Sequence, residues 1–212
     1  MTVDVLCFFN FRSPYCYLAS RRMWVIEDRH DARILFRPLP GWAGRSAPDR
    51  AKIKLPISRQ DVQRWCKRFG YPFVPPPKST DPTRAGAVSL LAEERGVLRD
   101  YVIQVMAAEW AEGKDIGDLE VLGPAAEAAG LDRAETIAAA EDPARLATLD
   151  RYAEEARARG LFGVPTFVIG DQVFWGQDRL DFVTEHLEAL GGQRVTIPIQ
   201  PPAHPSGPDG SD

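Results

Sequence analysis

Short apolar runs near both ends of the chain bracket a long stretch of helical periodicity. Val3 to Phe9 reads as a strand, and the polar break Asn10-Phe11-Arg12-Ser13 leads into a helix predicted from residue 14 to about 30. Ser13 suits the N-cap of that helix, and Pro14 suits its first position, where the missing N–H is not needed. Arg33 to Leu39 reads as a second strand around Ile34, Leu35 and Phe36, with prolines at 38 and 40. Helices are predicted near Ser58–Phe69, Asp81–Glu94, Leu98–Glu112, Leu119–Ala129, Arg133–Ala140 and Ala144–Arg159. Ser58, Asp81 and Asp118 are their candidate caps, and Gly70, Gly96, Gly113, Gly130 and Gly160 mark ends. A proline-led strand then follows in Phe162-Gly163-Val164-Pro165-Thr166-Phe167-Val168-Ile169, with a hairpin partner in Gln172 to Trp175 and a last helix opening at Gly176-Gln177-Asp178-Arg179-Leu180.

Two strands and a helix at one end, with a Val-Pro-Thr strand, a hairpin and a helix at the other, resemble the thioredoxin fold, which implies an α/β protein, thioredoxin-like with a large all-helical insertion. The expected thioredoxin-like domain is discontinuous, formed by residues 1–40 and 160–197, with the helical domain at 41–159 inserted between them. Residues 198–212 carry Pro, Gly, Ser and Asp and no core-forming side chains, which predicts a disordered tail. The run Pro72-Phe73-Val74-Pro75-Pro76-Pro77 suits neither a helix nor a central strand and reads as a stiff connector able to line a cleft.

The formal charge of −4 and the mixed signs of the 212-residue chain disfavour nucleic-acid binding. No basic segment precedes an apolar core at the N-terminus and no apolar span is long enough for a membrane, so the cytoplasm is the expected location and no membrane partner is expected. The three cysteines, Cys7, Cys16 and Cys66, form no Cys-x-x-Cys pair and read as reduced thiols. His30, His186 and His204 are scattered, and no metal site is expected. The informative position is Ser13, a hydroxyl where a redox protein of this pattern would carry its first thiol. Backbone N–H groups converge there and favour an anion. Cys16, three residues on, falls on the same helix face and inward, where burial makes a thiol inert.

Ser13-Pro14-Tyr15-x-Tyr17-Leu18-Ala19, taken with Phe162-Gly163-Val164-Pro165-Thr166 and Trp175-Gly176-x-Asp178-Arg179-Leu180, resembles the 2-hydroxychromene-2-carboxylate isomerase family, related to kappa-class glutathione transferases and DsbA-like proteins. The resemblance runs from about residue 3 to about 190 and implies glutathione as cofactor. It assigns Ser13 to the glutathione thiolate, and the Val164 main chain before a cis Pro165 to the glutathione backbone. Asp178 goes to the γ-glutamyl ammonium, and N–H groups near Gln177 to the adjoining carboxylate. For Arg179, a salt bridge shaping the loop is an equal reading. Lys52 and Lys54 alternate about Ile53 and would share one side if this segment is extended; followed by Asp61-Val62-Gln63-Arg64-Trp65 they resemble the isomerases, which implies that one of the two lysines, Lys52 or Lys54, faces the anionic aromatic substrate. Pro48 stands where a relative can place an asparagine. Trp42, Phe73, Trp110 and Tyr15 are candidates for an aromatic wall, against the alternative of core packing.

The function so implied is interconversion of 2-hydroxychromene-2-carboxylate and trans-o-hydroxybenzylidenepyruvate in aromatic catabolism. A kappa-like glutathione transferase is the alternative. A DsbA-like thiol–disulfide oxidoreductase and a non-catalytic glutathione-binding protein are further ones, the former opposed by the lack of a thiol at position 13. Related proteins are often dimers, so a homodimer is compatible with the resemblance.

Overall fold

The computed structural model describes residues 2–41, 43 and 48–191, with the side chains of 48–52 not described. The tail expected from 198 and the aromatic candidate Trp42 lie outside the described residues. Four strands form one sheet in the order β2-β1-β3-β4, where β1 is Val3–Phe9, β2 Ala32–Pro38, β3 Thr166–Ile169 and β4 Gln172–Trp175. β1 runs parallel to β2 in the register Val5↔Ile34 and Cys7↔Phe36, and antiparallel to β3 with Cys7 opposite Phe167. β3 continues into the antiparallel hairpin with β4, and its four residues are all buried.

The first helical stretch divides in two, α1 at Pro14–Ser20 and α2 at Val25–Arg29. A single helix to residue 30 was expected. It breaks where the Trp24 indole N–H donates to the Ser20 carbonyl at 2.7 Å, using the acceptor that helix continuation would need. α3 spans Pro48–Phe69 and so begins ten residues before the expected start at Ser58, with Pro56 inside it. Ser58 is therefore a mid-helix residue and caps nothing. α4 (Thr83–Glu94), α5 (Leu98–Trp110), α6 (Leu119–Ala128), α7 (Arg133–Ala140) and α8 (Pro143–Ala158) complete the helical stretch, and α9 (Leu180–Ala189) closes the described chain. Asp118 caps α6 as expected, accepting from the Glu120 N–H at 2.9 Å, and Asp81 accepts from the Thr83 N–H at the head of α4. The five end-marking glycines all adopt positive φ.

Aromatic residues from both parts of the sequence build the centre. Phe9, Phe11 and Phe36 meet edge-on or tilted, and Phe11 reaches Tyr101 of α5 at 6.0 Å between ring centroids. One apolar cluster runs unbroken from the sheet through α5 and α6. The connector 72–77 forms neither helix nor strand, and none of its residues lines the cavity beside Ser13. Val74 donates its N–H to the Trp110 carbonyl at 2.8 Å, Phe73 stacks on Trp110 at 5.9 Å, and the Tyr17 hydroxyl donates to the Pro72 carbonyl at 2.7 Å. None of the helices among the described residues is long and apolar enough to cross a membrane.

Candidate active site

β1 ends beneath the start of α1, and the loop between them is tied down from inside. The Asn10 side chain accepts the Arg12 N–H at 2.9 Å, and its amide N–H group reaches the carbonyls of Leu39, Gly41 and Ala43. Ser13 caps α1, its Oγ accepting the Cys16 N–H at 3.3 Å and donating to the Val164 carbonyl at 3.4 Å. The Val164–Pro165 bond is cis, as the resemblance implied. Ser13 and Val164 line a cavity of about 380 Å³, and Tyr15, Lys54, Ser58, Asp61, Trp65, Trp175, Gln177 and Asp178 line it with them. α1 has seven residues, so any stabilisation of an anion there comes from its first N–H groups and the Ser13 hydroxyl rather than from a long helix dipole.

Cys16 faces inward. It is fully buried, and burial pushes its thiol up to about 12 despite the N–H that Asn10 donates to its sulfur. Cys66 is raised to about 11 and Cys7 well above its usual value, again chiefly through burial. At neutral pH all three remain protonated. The thiols of this chain are thus poor nucleophiles, and a sulfur nucleophile in the cavity has to come from a ligand.

On the opposite wall, β4 turns sharply into a 3-10 segment, Gln177–Arg179, that feeds α9. Gly176 makes this turn at φ +120°, and the Asp178 carboxylate folds back so closely that a Cβ on Gly176 would lie 2.5 Å from its Oδ1. Asp178 is half exposed and pairs with its neighbour Arg179 at 3.4 Å. Gln177 is buried, and its side-chain oxygen accepts from Arg22 at 3.1 Å. Its side chain is thereby committed to the fold, and what it offers a ligand is main chain.

The lysine reading changes with the helix. In α3 a spacing of two turns the direction by about 200°, so alternation no longer places Lys52 and Lys54 on one side. Lys54 lines the cavity, while the Lys52 side chain lies outside the described residues. The expected aromatic wall is likewise rebuilt. Tyr15 belongs to it, but Phe73 and Trp110 stack on each other elsewhere. In their place stand Trp65 and an edge-to-face pair at the mouth, Phe162 and Trp175, 4.5 Å between centroids. Gly163 permits that pair, because any Cβ there would overlap the Trp175 indole.

Sequence reasoning missed three further features. Arg12 lines the cavity while its guanidinium, buried, pairs with Glu109 of α5 at 3.2 Å and donates to the Pro77 carbonyl at 2.6 Å. The signal available was a cation directly after the aromatic run Phe8-Phe9-Asn10-Phe11, where a buried charge needs a partner. Lys54, Ser58, Asp61 and Trp65 follow the spacing i, i+4, i+7, i+11, one face of a helix, legible only once α3 is known to start at Pro48. On that face the Tyr15 hydroxyl donates to Asp61 Oδ2 at 2.9 Å. Burial first, and the Asp61 carboxylate second, push the Tyr15 phenol up to about 12, so it stays protonated and keeps donating.

The DsbA-like thioredoxin domain model matches residues 4–188. A 2-hydroxychromene-2-carboxylate isomerase of Pseudomonas putida is 32% identical over 210 residues, covering 93% of this chain and 99% of its own length. Its counterpart in Sphingobium xenophagum is 28% identical, over 88% of this chain and 99% of its own. The solved structure of a 2-hydroxychromene-2-carboxylate isomerase superposes with a TM-score of 0.75 at 29% identity, covering 89% of this chain and 96% of that one. With its sheet, its cis-proline and its serine-capped first helix in the arrangement just described, the chain belongs to the DsbA-like thioredoxin-domain family and, within it, to the 2-hydroxychromene-2-carboxylate isomerase family.

Proposed function

We propose that this protein is a glutathione-dependent isomerase that interconverts 2-hydroxychromene-2-carboxylate and trans-o-hydroxybenzylidenepyruvate. The observation that carries the reading is the Ser13 hydroxyl on the cavity wall beside Val164, in a site whose own thiols are buried and held protonated. The donor set fits a thiol tripeptide. Ser13 offers a hydroxyl, Val164 a main chain for an extended peptide to pair with, Asp178 a carboxylate for an ammonium, and the start of the 177–179 turn its N–H groups for a carboxylate.

Bound glutathione supplies a thiolate able to add to the conjugated alkene and leave again, so that the former double bond turns as a single bond in between. The chain's part is to prepare that chemistry. Ser13 exchanges its 3.4 Å bond to Val164 for one to the sulfur and favours the charged form. Val164 and Asp178 fix the tripeptide, and Lys54 draws the substrate carboxylate to the α3 side. Trp65, Phe162 and Trp175 supply flat apolar surface for a bicyclic ring.

Incubating the purified protein with the chromene and a sub-stoichiometric amount of glutathione tests the reading. Interconverted isomers with glutathione recovered unchanged are expected. Thiol consumed in step with substrate would assign a transferase instead, and binding without turnover a carrier.

A further inference from the structure

Asp61 has no part in the reading above, yet its surroundings describe an acceptor set out for a ligand. Tyr15 occupies Oδ2 at 2.9 Å, which fixes the carboxylate plane and leaves Oδ1 to a ligand donor. Tyr15, Ser58 and Asp61 line the cavity that holds Ser13, so whatever meets Asp61 lies within the same chamber as the reacting sulfur. The substrate's carboxylate is repelled by Asp61 and attracted to Lys54, seven residues earlier on the same face of α3. The group that faces Asp61 is therefore a donor at the other side of the molecule.

We propose that Asp61, oriented by Tyr15, accepts the phenolic hydroxyl of the ring-opened substrate and carries its proton when the chromene ring closes or opens. This rests on the isomerase reading and deepens it. On closure the phenol gives its proton to the Asp61 carboxylate, and the oxygen's electron pair forms the C–O bond to the keto carbon. The keto oxygen takes the displaced π pair and receives the proton back from Asp61 as the hemiketal hydroxyl. Opening is the reverse. Atoms and charge balance within substrate and carboxylate, no electron enters or leaves, and glutathione takes no part in the transfer. Tyr15 is a positioning residue: it holds the acceptor and stays protonated.

Two readouts test the assignment, the first without glutathione or turnover. By calorimetry, trans-o-hydroxybenzylidenepyruvate should bind about tenfold tighter than its o-methoxy analogue, the worth of a hydrogen bond to a charged acceptor. Asp61→Asn should bring the two within about twofold, and should lower chromene turnover about 100-fold, the usual scale of lost acid–base catalysis. Tyr15→Phe, which frees the carboxylate to turn, should cut the preference for the hydroxyl compound to about threefold and leave glutathione affinity within about twofold. The proposal is overturned if the native protein shows no preference for the hydroxyl compound. It is also overturned if Asp61→Asn keeps that preference, or loses glutathione affinity instead, which would give the carboxylate to the cofactor. Should Asp61→Asn not fold, the preferences of the native protein and of Tyr15→Phe decide, and an unchanged preference in Tyr15→Phe counts against it. A native protein inert toward the chromene sinks the isomerase reading itself, an outcome separate from any of these.

Discussion

Ser13 holds two hydrogen bonds with one oxygen, and both are long for what they are. At 3.3 Å from the Cys16 nitrogen and 3.4 Å to the Val164 oxygen, neither reaches the lengths of strong bonds of their kind, so the hydroxyl is available for exchange when a better acceptor arrives. A thiolate is such an acceptor. Ser13→Ala should therefore raise the pKa of bound glutathione by about one unit, the scale of a lost hydrogen bond to a charged group, and lower turnover by more than it lowers affinity. Ultraviolet titration of the bound thiolate reads the first and steady-state kinetics the second, while unchanged activity would leave Ser13 as a cap. Three positions on, the Cys16 thiol is fully buried. Cys7, Cys16 and Cys66 are all raised by burial, as are the phenols of Tyr15 and Tyr17, both to about 12. Each group is neutral in the fold at a pH where the unfolded chain has begun to ionise. Its contribution to stability is complete below the ordinary thiol value of 9.0 and declines as pH rises from there toward 12. Thermal midpoints should hold steady from neutrality to about pH 8 and fall beyond it, and thiol alkylation of the folded protein at about pH 8 should be slow. Rapid labelling of Cys16 would show that the site opens.

Strands and short helices were legible where pattern and punctuation agree. β1 is Val3–Phe9 and α7 is Arg133–Ala140 in both the reading and the structure, because an apolar run or an Asp132 cap delimits each without ambiguity. The first half of α3 was not legible. Lys52-Ile53-Lys54-Leu55 alternates with the period of a strand, and Pro56 reads as a break, although a helix tolerates the lost N–H at the cost of a ladder bond. Ile53, Leu55 and Ile57 remain exposed, so burial imposes no 3.6-residue stripe there. That one hidden element concealed the cavity-lining faces of Ser58, Asp61 and Trp65, whereas Ser13, Val164 and Asp178 were visible because they sit at element boundaries marked by Ser-Pro, Val-Pro and Gly. The turn between β4 and α9 depends on its glycine in a way sequence alone hints at only weakly. At φ +120° an L side chain is strained, and a Cβ would displace the Asp178 carboxylate. Gly176→Ala should cost about 2 kcal/mol, within the range for such backbone strain, and weaken glutathione binding beyond the stability loss. Urea midpoints and calorimetry check the two effects. A variant of native stability would show that the turn has another conformation open to it.

A sheet assembled from both ends of the described chain has to be aligned with helices that come from its middle. The continuous core packs α5 against the Ser13 loop, and directional contacts add to that packing. The polar contacts there are specific. Trp110 donates its indole N–H to the Phe11 carbonyl at 3.0 Å, the guanidinium of Arg12 lies 5.4 Å over the Trp110 ring, and Arg12 joins Glu109 of α5 to the Pro77 carbonyl of the connector. Arg12 is adjacent to Ser13, so any shift of α5 or of the connector is transmitted to the hydroxyl at the cavity wall. Buried pairs of this kind stabilise little overall compared with apolar residues of the same volume, but removing one partner takes a close counter-charge from the other in a site shielded from solvent. Glu109 is fully buried and the Arg12 side chain nearly so. Glu109→Leu alone should therefore destabilise the fold by about 3–5 kcal/mol, as should Arg12→Met alone, while the double variant Arg12→Met with Glu109→Leu should recover most of that loss. Denaturant unfolding of the four proteins gives the coupling energy. The kinetics of the recovered double variant then separate alignment from stability: a native-like melt with turnover reduced about tenfold or more places the pair's value in register, as a misplaced site predicts. Native turnover in the same protein would mean that packing holds α5 in place without the pair.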